Sequence, residues 1–184
     1  MGTIKDFKYK KIDNFLNNEE IILLKNYCKI KHRTNNTSFD FSKFTNNADT
    51  MHYGDPVMES LLISKLNLVE KEAGLKLLCT YAFWRMYTLG ANLIPHKDRP
   101  SCEVSVTISL GSDGSSWPIF MEGKEINLKP GDAAIYLGCD ITHWRESLNG
   151  DWQAQAFLHY VDKNGKNQEW AKDKRLIYGT QKIK

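Results

Sequence analysis

The 184-residue sequence lacks any long run of hydrophobic residues. A membrane-spanning helix needs about 20 consecutive apolar residues, and no stretch of the chain approaches that length. The N-terminal segment MGTIKDFKYKKIDNF contains no apolar stretch like the one at the centre of a secretory signal peptide. We therefore expect a protein that does not enter a membrane, and we predict a cytoplasmic location.

The sequence also has few cysteines and a low net charge. The four cysteines (Cys28, Cys79, Cys102 and Cys139) are irregularly spaced and form no C-x-x-C pair, which argues against a zinc cluster or a thioredoxin-like motif. We expect reduced thiols in the core of an intracellular protein. The formal net charge is only +3 and the basic residues are scattered, so nucleic acid is not favoured as a partner.

What the sequence does contain is typical of one globular domain. Hydrophobic residues make up 41% and charged residues 26%, and there is no internal repeat or low-complexity linker. We predict a single domain over residues 1–184. It would consist of a helical N-terminal part (1–75), a jelly-roll core (76–162) and a C-terminal extension (163–184).

Two segments of the N-terminal part have helical patterns. Residues 17–28 combine a polar cap and an acidic first turn with apolar residues at helical spacing. Residues 55–74 predict a second helix, which Asp55 can cap and Gly74 can end. The polar segment 33–54 between them is predicted to be a long loop. Three phenylalanines could anchor this loop to the body of the protein: Phe39, Phe41 and Phe44.

After residue 76 the pattern changes to short strands separated by turn residues. The strands are predicted over 77–89, 103–110, 117–122, 125–128, 133–137, 141–145 and 152–161. In the segment 103–110, Ser105, Thr107 and Ser109 alternate with apolar residues, so one face packs on a core and the other lines a polar cavity. This pattern predicts a mostly β fold, a double-stranded β-helix or jelly roll, with the N-terminal helices packed on one sheet.

His96 and Asp98 are separated by a single residue. On an extended segment such side chains point to the same side, so the imidazole and the carboxylate can converge on one point. His143, which follows the strand after the P-G-D turn, is the best candidate for a third ligand. Two histidines and one carboxylate on one side of a metal are typical of non-haem Fe(II) oxygenases. An H-x-D pair alone is a weak signal, since a surface pair is the commoner explanation.

The surroundings of these residues strengthen the signal. The segment Y-T-L-G-A-N-L-I-P-H-K-D (87–98) resembles the Y-x-x-G…H-x-D stretch of the prolyl-hydroxylase branch of the 2-oxoglutarate/Fe(II) oxygenases. The segment K-P-G-D-A-A-I-Y (129–136), followed by His143, is similar to that family's strand before the second histidine. The resemblance covers about residues 80–162. It implies catalytic Fe(II) held by His96, Asp98 and His143, with 2-oxoglutarate and O2 as co-substrates and ascorbate as an optional reductant.

The sequence departs from this family at the cation that binds the far carboxylate of 2-oxoglutarate. The prolyl-hydroxylase branch carries that cation at the positions that Trp152 and Gln153 occupy here. A guanidinium suits the role because it can bind a carboxylate through two hydrogen bonds. We predict Arg145, which would share a strand face with His143, and a surface ion pair is its competing interpretation. Arg85 is the alternative cation, or else a residue of the substrate pocket.

Five further residues are expected near the co-substrate or the substrate. Tyr87 and Gln155 could hydrogen-bond to 2-oxoglutarate through a phenol and an amide. Arg99 directly follows the H-x-D pair and would lie at the mouth of the pocket. Trp117 could form a wall of the pocket, and His159 shares strand parity with Gln155. A packing role is the competing interpretation for Tyr87, Gln155, Trp117 and His159.

The leading hypothesis is an enzyme that hydroxylates an aliphatic C–H bond, with a prolyl residue or a free amino acid as the favoured substrate. Its partner would then be a small molecule or a peptide. A nucleic-acid or other small-molecule oxygenase is an alternative, although a nucleic-acid enzyme predicts a clustered basic groove. A metalloenzyme that needs no 2-oxoglutarate and a non-catalytic jelly-roll binding protein also remain open.

Overall fold

The computed structural model describes residues 2–34, 39–40 and 49–180. The helices are α1 (Ile4–Phe7), α2 (Asn18–Thr34), α3 (Pro56–Ser64) and α4 (Leu66–Ala73). The strands are β1 (Tyr9–Ile12), β2 (Phe39–Asp40), β3 (Asp49–Tyr53), β4 (Leu77–Thr88), β5 (Leu93–His96), β6 (Val104–Ser112), β7 (Ile119–Met121), β8 (Lys124–Ile126), β9 (Ala133–Tyr136), β10 (His143–Arg145) and β11 (Trp152–Asp162). Short 3-10 segments occur at Pro100–Cys102 and Gln168–Lys174.

The strands form two antiparallel sheets. In the larger sheet the strands are ordered β1-β9-β6-β11-β4-β3-β2, and in the smaller sheet β5-β10-β7-β8. The neighbours β6, β11 and β4 are far apart in sequence, which is the interleaved connectivity of a double-stranded β-helix. The predicted fold class, mostly β with flanking helices, is confirmed.

β6 separates the hydrophobic core from the polar interior. Its apolar side chains pack with Leu24 of α2 and Met58 of α3 in the main core, so the helices cover the outer face of the larger sheet. Ser105 and Thr107, at the alternate positions, are fully buried and hydrogen-bond to polar groups on the inner face. The alternation in the sequence therefore predicted correctly which face of the strand is polar.

The N-terminal part also supplies strands, which its composition does not indicate. β1 pairs with β9 at one end of the larger sheet, and β3 pairs with β4 near the other end. The prediction of a loop over 33–54 was wrong at β2 and β3, because these strands pair with each other and β3 also pairs with β4. The proposed anchoring by Phe39, Phe41 and Phe44 concerns side chains outside those that the structure describes.

The segment 55–74 forms two helices rather than one. Asp55 caps α3 by accepting hydrogen bonds from the backbone N–H groups of Val57 and Met58, as predicted. The helix is interrupted at Lys65, which separates α3 from α4. Gly74 ends α4 in the left-handed conformation that favours glycine. Among the residues described, none of the helices combines the length and the apolar character that a membrane crossing requires.

The C-terminal segment after β11 folds back onto the body. It contacts β4, β11 and the turn Pro100–Cys102. Arg175 pairs with the buried carboxylate of Glu59 on α3, and Asp173 receives two hydrogen bonds from Arg99, each of 2.8 Å. Lys172, Asp173 and Lys174 all have positive φ angles, a conformation that is costly without compensating contacts. These ion pairs hold the segment against α3 and the loop that follows β5.

Candidate active site

A cavity of about 410 Å³ lies between the two sheets. It is lined by side chains of β4, β5, β9, β10 and β11 and by the loop that follows β5. Most of the residues singled out in the sequence line this cavity: Arg85, Tyr87, His96, Asp98, Arg99, His143, Arg145 and His159. Gln155 and Trp117 do not reach it.

Strand pairing brings the candidate metal ligands together. β5 and β10 are antiparallel neighbours in which His96 lies directly opposite His143. Asp98 follows β5, where its backbone N–H donates to the carbonyl of Gly138 at 2.8 Å. The Nε2 atoms of both imidazoles lie 3.7 Å from the same oxygen, Oδ1 of Asp98. Two nitrogens and one oxygen therefore face a common point, as a single metal ion requires.

Backbone carbonyls set the orientation of both imidazoles. Nδ1 of His96 lies 2.9 Å from the carbonyl oxygen of Ile94, and Nδ1 of His143 lies 3.0 Å from that of Ile141. A carbonyl can only accept, so each Nδ1 carries the proton and each Nε2 presents its lone pair. Burial lowers the pKa of His143, which further favours the neutral form that binds metals.

The remaining oxygen of Asp98 is held by Ser105. The Ser105 hydroxyl donates to Oδ2 at 3.1 Å, which leaves Oδ1 directed at the two histidines. Gly138 lies against the same carboxylate, and a Cβ at this position would be only 2.4 Å from Oδ2 and 2.3 Å from the carbonyl oxygen of Cys102. The carboxylate is therefore fixed from two sides.

Arg145 supplies a buried cation at another part of the cavity. Its side chain is 3% exposed and stacks over the Trp117 ring, with 4.7 Å between the guanidinium carbon and the ring centroid. One terminal nitrogen donates to the carbonyl of Trp117, while the other, NH2, has no hydrogen-bond partner among the described residues. Burial lowers the pKa of Arg145 to about 10. Such an uncompensated charge is suited to bind an anion.

Arg85 differs from Arg145 because its charge is compensated. Its NH2 lies 2.8 Å from Oδ1 of Asp49, a carboxylate that is fully buried. The Arg85 guanidinium also lies over the Tyr87 ring, with 5.1 Å to the centroid. Burial raises the pKa of Tyr87, so its phenol is a neutral hydrogen-bonding group in the cavity. Of the two arginines, Arg145 is therefore the better anion ligand.

Trp117 supports the wall of the cavity from behind, and Gln155 is buried outside the lining. Trp117 packs edge-on against Tyr87, with ring centroids 4.8 Å apart, and lies beneath the Arg145 guanidinium. Gln155 is fully buried, and its Oε1 accepts a hydrogen bond of 3.4 Å from Thr107.

Three residues that sequence reasoning did not single out also lie at the site. Tyr136 on β9 is buried with its ring centroid 4.8 Å from that of His143, and strand alternation along 133–136 could have indicated its direction. The hydroxyl of Tyr81 lies 3.1 Å from Sγ of Cys102. Asp173 accepts hydrogen bonds from Arg99, but no local sequence pattern indicated it, because it lies far from Arg99 in the sequence.

Several solved structures share the fold of this chain. A viral collagen prolyl hydroxylase from Paramecium Bursaria Chlorella virus-1, in complex with 2-oxoglutarate, has a TM-score of 0.65 at 15% identity, over 86% of this chain and 98% of that one. The epimerase SnoN from nogalamycin biosynthesis gives 0.70 at 13% identity, over 84% and 78%. A peptide-bound prolyl hydroxylase from Trichoplax adhaerens gives 0.64 at 15% identity, over 87% and 86%.

At the level of sequence, no family model matches the chain. No curated protein matches it either. The similarity therefore rests on structure, and it extends over most of this chain and of the chains it resembles. The chain has the double-stranded β-helix fold of the 2-oxoglutarate/Fe(II) oxygenases, prolyl hydroxylases among them.

Proposed function

We propose that this chain is an Fe(II)- and 2-oxoglutarate-dependent dioxygenase that hydroxylates an aliphatic C–H bond. The observation that carries the proposal is the convergence of His96, Asp98 and His143, with both Nε2 atoms 3.7 Å from one carboxylate oxygen. A second observation supports it, namely the unpartnered NH2 of the buried Arg145 in the same cavity. A binding protein for a neutral ligand without metal would need neither a metal-ligand set nor a buried cation.

The residues present fit both the metal and the co-substrate. His96, Asp98 and His143 would hold Fe(II) from one side, and Arg145 would bind the far carboxylate of 2-oxoglutarate. Tyr87 would contribute a neutral phenol to the same end of the cavity. When bound, Fe(II), 2-oxoglutarate and O2 supply the oxidation, in which one oxygen atom enters the substrate and the other enters succinate, with release of CO2.

The protein's own contribution is orientation and exclusion of water. Ser105 and Gly138 fix the carboxylate of Asp98, while Trp117 supports Arg145 from below. His143 is only 3% exposed, so water reaches that side of the site poorly. Charge interactions inside such a buried site are stronger than in water.

We further propose one domain over residues 1–184 in a cytoplasmic protein, with a prolyl residue in a peptide or a free amino acid as the substrate. The peptide-bound relative supports a peptide, since its ligand is a peptide fragment. Ascorbate would act only as an auxiliary reductant.

The test measures Fe(II)-dependent conversion of 2-oxoglutarate to succinate, with mass spectrometry of a panel of peptides and amino acids for a gain of one oxygen atom. His96→Ala and Asp98→Asn should abolish both signals. Asp140→Asn, which removes an exposed carboxylate in a turn, is the matched control and should leave them unchanged. Failure of the wild-type chain to bind Fe(II), or turnover that survives in Asp98→Asn, would contradict the proposal.

A further inference from the structure

His159 is a buried histidine that neither holds the metal nor binds 2-oxoglutarate in the proposed function. It lies on β11, is 2% exposed and lines the cavity. Its Nδ1 lies 2.9 Å from the hydroxyl of Ser105, while Nε2 has no hydrogen-bond partner among the described residues. A buried polar atom without a partner is costly, and in a cavity it is a candidate for ligand binding.

The neighbours of Ser105 determine the tautomer of His159. The Ser105 hydroxyl has one proton, and it lies 3.1 Å from both Oδ2 of Asp98 and the carbonyl oxygen of Cys102. Both of these atoms can only accept, and the carboxylate is the stronger acceptor. Ser105 therefore donates to that side, and its two lone pairs can accept from Nδ1–H of His159 and from the hydroxyl of Tyr136, its further partner. Nε2 is left with a bare lone pair.

Aromatic rings fix the direction of this lone pair. The Tyr81 ring lies 4.5 Å from the His159 ring, and Phe83 is stacked at 5.8 Å. Phe83 is in turn stacked on Phe157, with 4.5 Å between the ring centroids. All four rings line the cavity, where they form one continuous wall. A flat or apolar part of a ligand can lie on this wall while a polar group reaches Nε2.

The charges nearby favour a neutral hydrogen-bond donor. Burial lowers the pKa of His159 to about 4, so the ring is uncharged near neutral pH. Asp98 is the sole carboxylate among the residues described as lining the cavity, and it belongs to the candidate metal site. A buried ammonium group would find no free counter-charge, whereas a hydroxyl or an amide N–H needs only an acceptor.

We propose that His159 recognises the substrate, with Nε2 accepting a hydrogen bond from a neutral hydroxyl or amide N–H whose flat or apolar part lies on Phe83 and Phe157. This proposal rests on the proposed function, because it concerns the substrate of that same cavity. The substrate class is accordingly a neutral molecule or peptide segment with a donor beside an apolar group, which favours a prolyl residue in a peptide over a free amino acid with its charged ammonium group.

The tautomer is tested directly by long-range 1H–15N NMR of the Zn(II)-loaded protein, whose metal is diamagnetic. The expected result is a His159 ring with a proton on Nδ1 and none on Nε2. A proton on Nε2 at neutral pH would overturn the proposal, because the atom facing the ligand would then be a donor.

The acceptor is tested with phenol and its methyl ether anisole, which differ in one donor proton. Wild-type protein, loaded with metal and 2-oxoglutarate without oxygen, should bind phenol about threefold to tenfold more tightly, as expected for one hydrogen bond. His159→Asn keeps a donor near Ser105 but lacks Nε2, and His159→Phe keeps the stacked ring. Both should bind the two probes equally.

Two outcomes would overturn the proposal: equal binding of the probes to the wild type, or a preference for phenol that persists in both variants. Conversion of 2-oxoglutarate to succinate is measured in the same preparations. If the wild type shows no preference for phenol but still converts 2-oxoglutarate to succinate, only the role of His159 is rejected. If the wild type prefers phenol but does not convert 2-oxoglutarate to succinate, the proposed function is rejected, while the preference of the cavity for a hydrogen-bond donor stands.

Discussion

Replacement of Arg145 should separate stability from co-substrate binding. Truncation of one partner of a buried, hydrogen-bonded charge pair costs about 2–5 kcal/mol, which corresponds to about a 30-fold to 5,000-fold loss of affinity. Arg145→Met should therefore raise the Kd for 2-oxoglutarate by a factor in this range. Arg145→Lys keeps the charge without the forked geometry and should fall between wild type and Arg145→Met.

The same substitution should stabilise the protein when 2-oxoglutarate is absent. The fall of the Arg145 pKa from 12.5 to about 10 corresponds to about 3 kcal/mol against the buried charge. Loss of the hydrogen bond to the carbonyl of Trp117 offsets about 1 kcal/mol of this. We therefore expect Arg145→Met to raise the free energy of unfolding by about 1–2 kcal/mol, within the range seen when buried charges are replaced.

The assay is calorimetric titration of 2-oxoglutarate into anaerobic, metal-loaded protein, with denaturant unfolding of the same samples without 2-oxoglutarate. Arg85→Lys is the matched control, since it retains a cation beside Asp49, and it should change the Kd by less than about threefold. A Kd for Arg145→Met within threefold of wild type would refute the anchor assignment. So would a large loss of affinity in Arg85→Lys alone.

Three further predictions concern groups around the site. Gly138→Ala should weaken Fe(II) or Mn(II) binding by about tenfold to 100-fold in a metal titration, because the new Cβ displaces Asp98; unchanged affinity would contradict the fixed position of this carboxylate. Because the pKa of His159 is about 4 in the folded chain and 6.5 in the unfolded chain, the unfolded chain binds a proton at this residue more readily than the folded chain. The free energy of unfolding should therefore fall by up to about 3 kcal/mol as pH drops from 6.5 to about 4. His159→Asn should reduce this pH dependence in acid unfolding curves. Asp173→Asn, which tolerates the positive φ, should cost about 1.5–3 kcal/mol in denaturant unfolding, and nearer the lower figure because Arg99 is 39% exposed. Unfolding curves that coincide with wild type would show that the ion pair contributes nothing.

Local patterns predicted much of the core. Period-two alternation identified the polar face of β6, and the cap at Asp55 began α3 at the expected residue. The H-x-D spacing and the later histidine predicted the three candidate ligands, which strand pairing then brought together. These features were readable because they depend on a few consecutive residues. The sequence did not predict β3 or the interruption of the helix at Lys65, since each depends on partners elsewhere in the chain.

The sequence by itself therefore determined the secondary-structure type of the core and the identity of the candidate ligands, through short-range spacing and alternation. Only the tertiary structure decided which charges are compensated. The sequence favoured Arg145 over Arg85 only through its parity with His143. The structure adds the physical reason: Asp49 neutralises Arg85, whereas Arg145 is buried with an unpartnered nitrogen. It also decided that His159 presents a lone pair, because Ser105, Asp98 and the carbonyl of Cys102 meet only after folding. Hydrogen-bond partners and burial are properties of the packed chain, and they set the charge and the chemistry of each side chain.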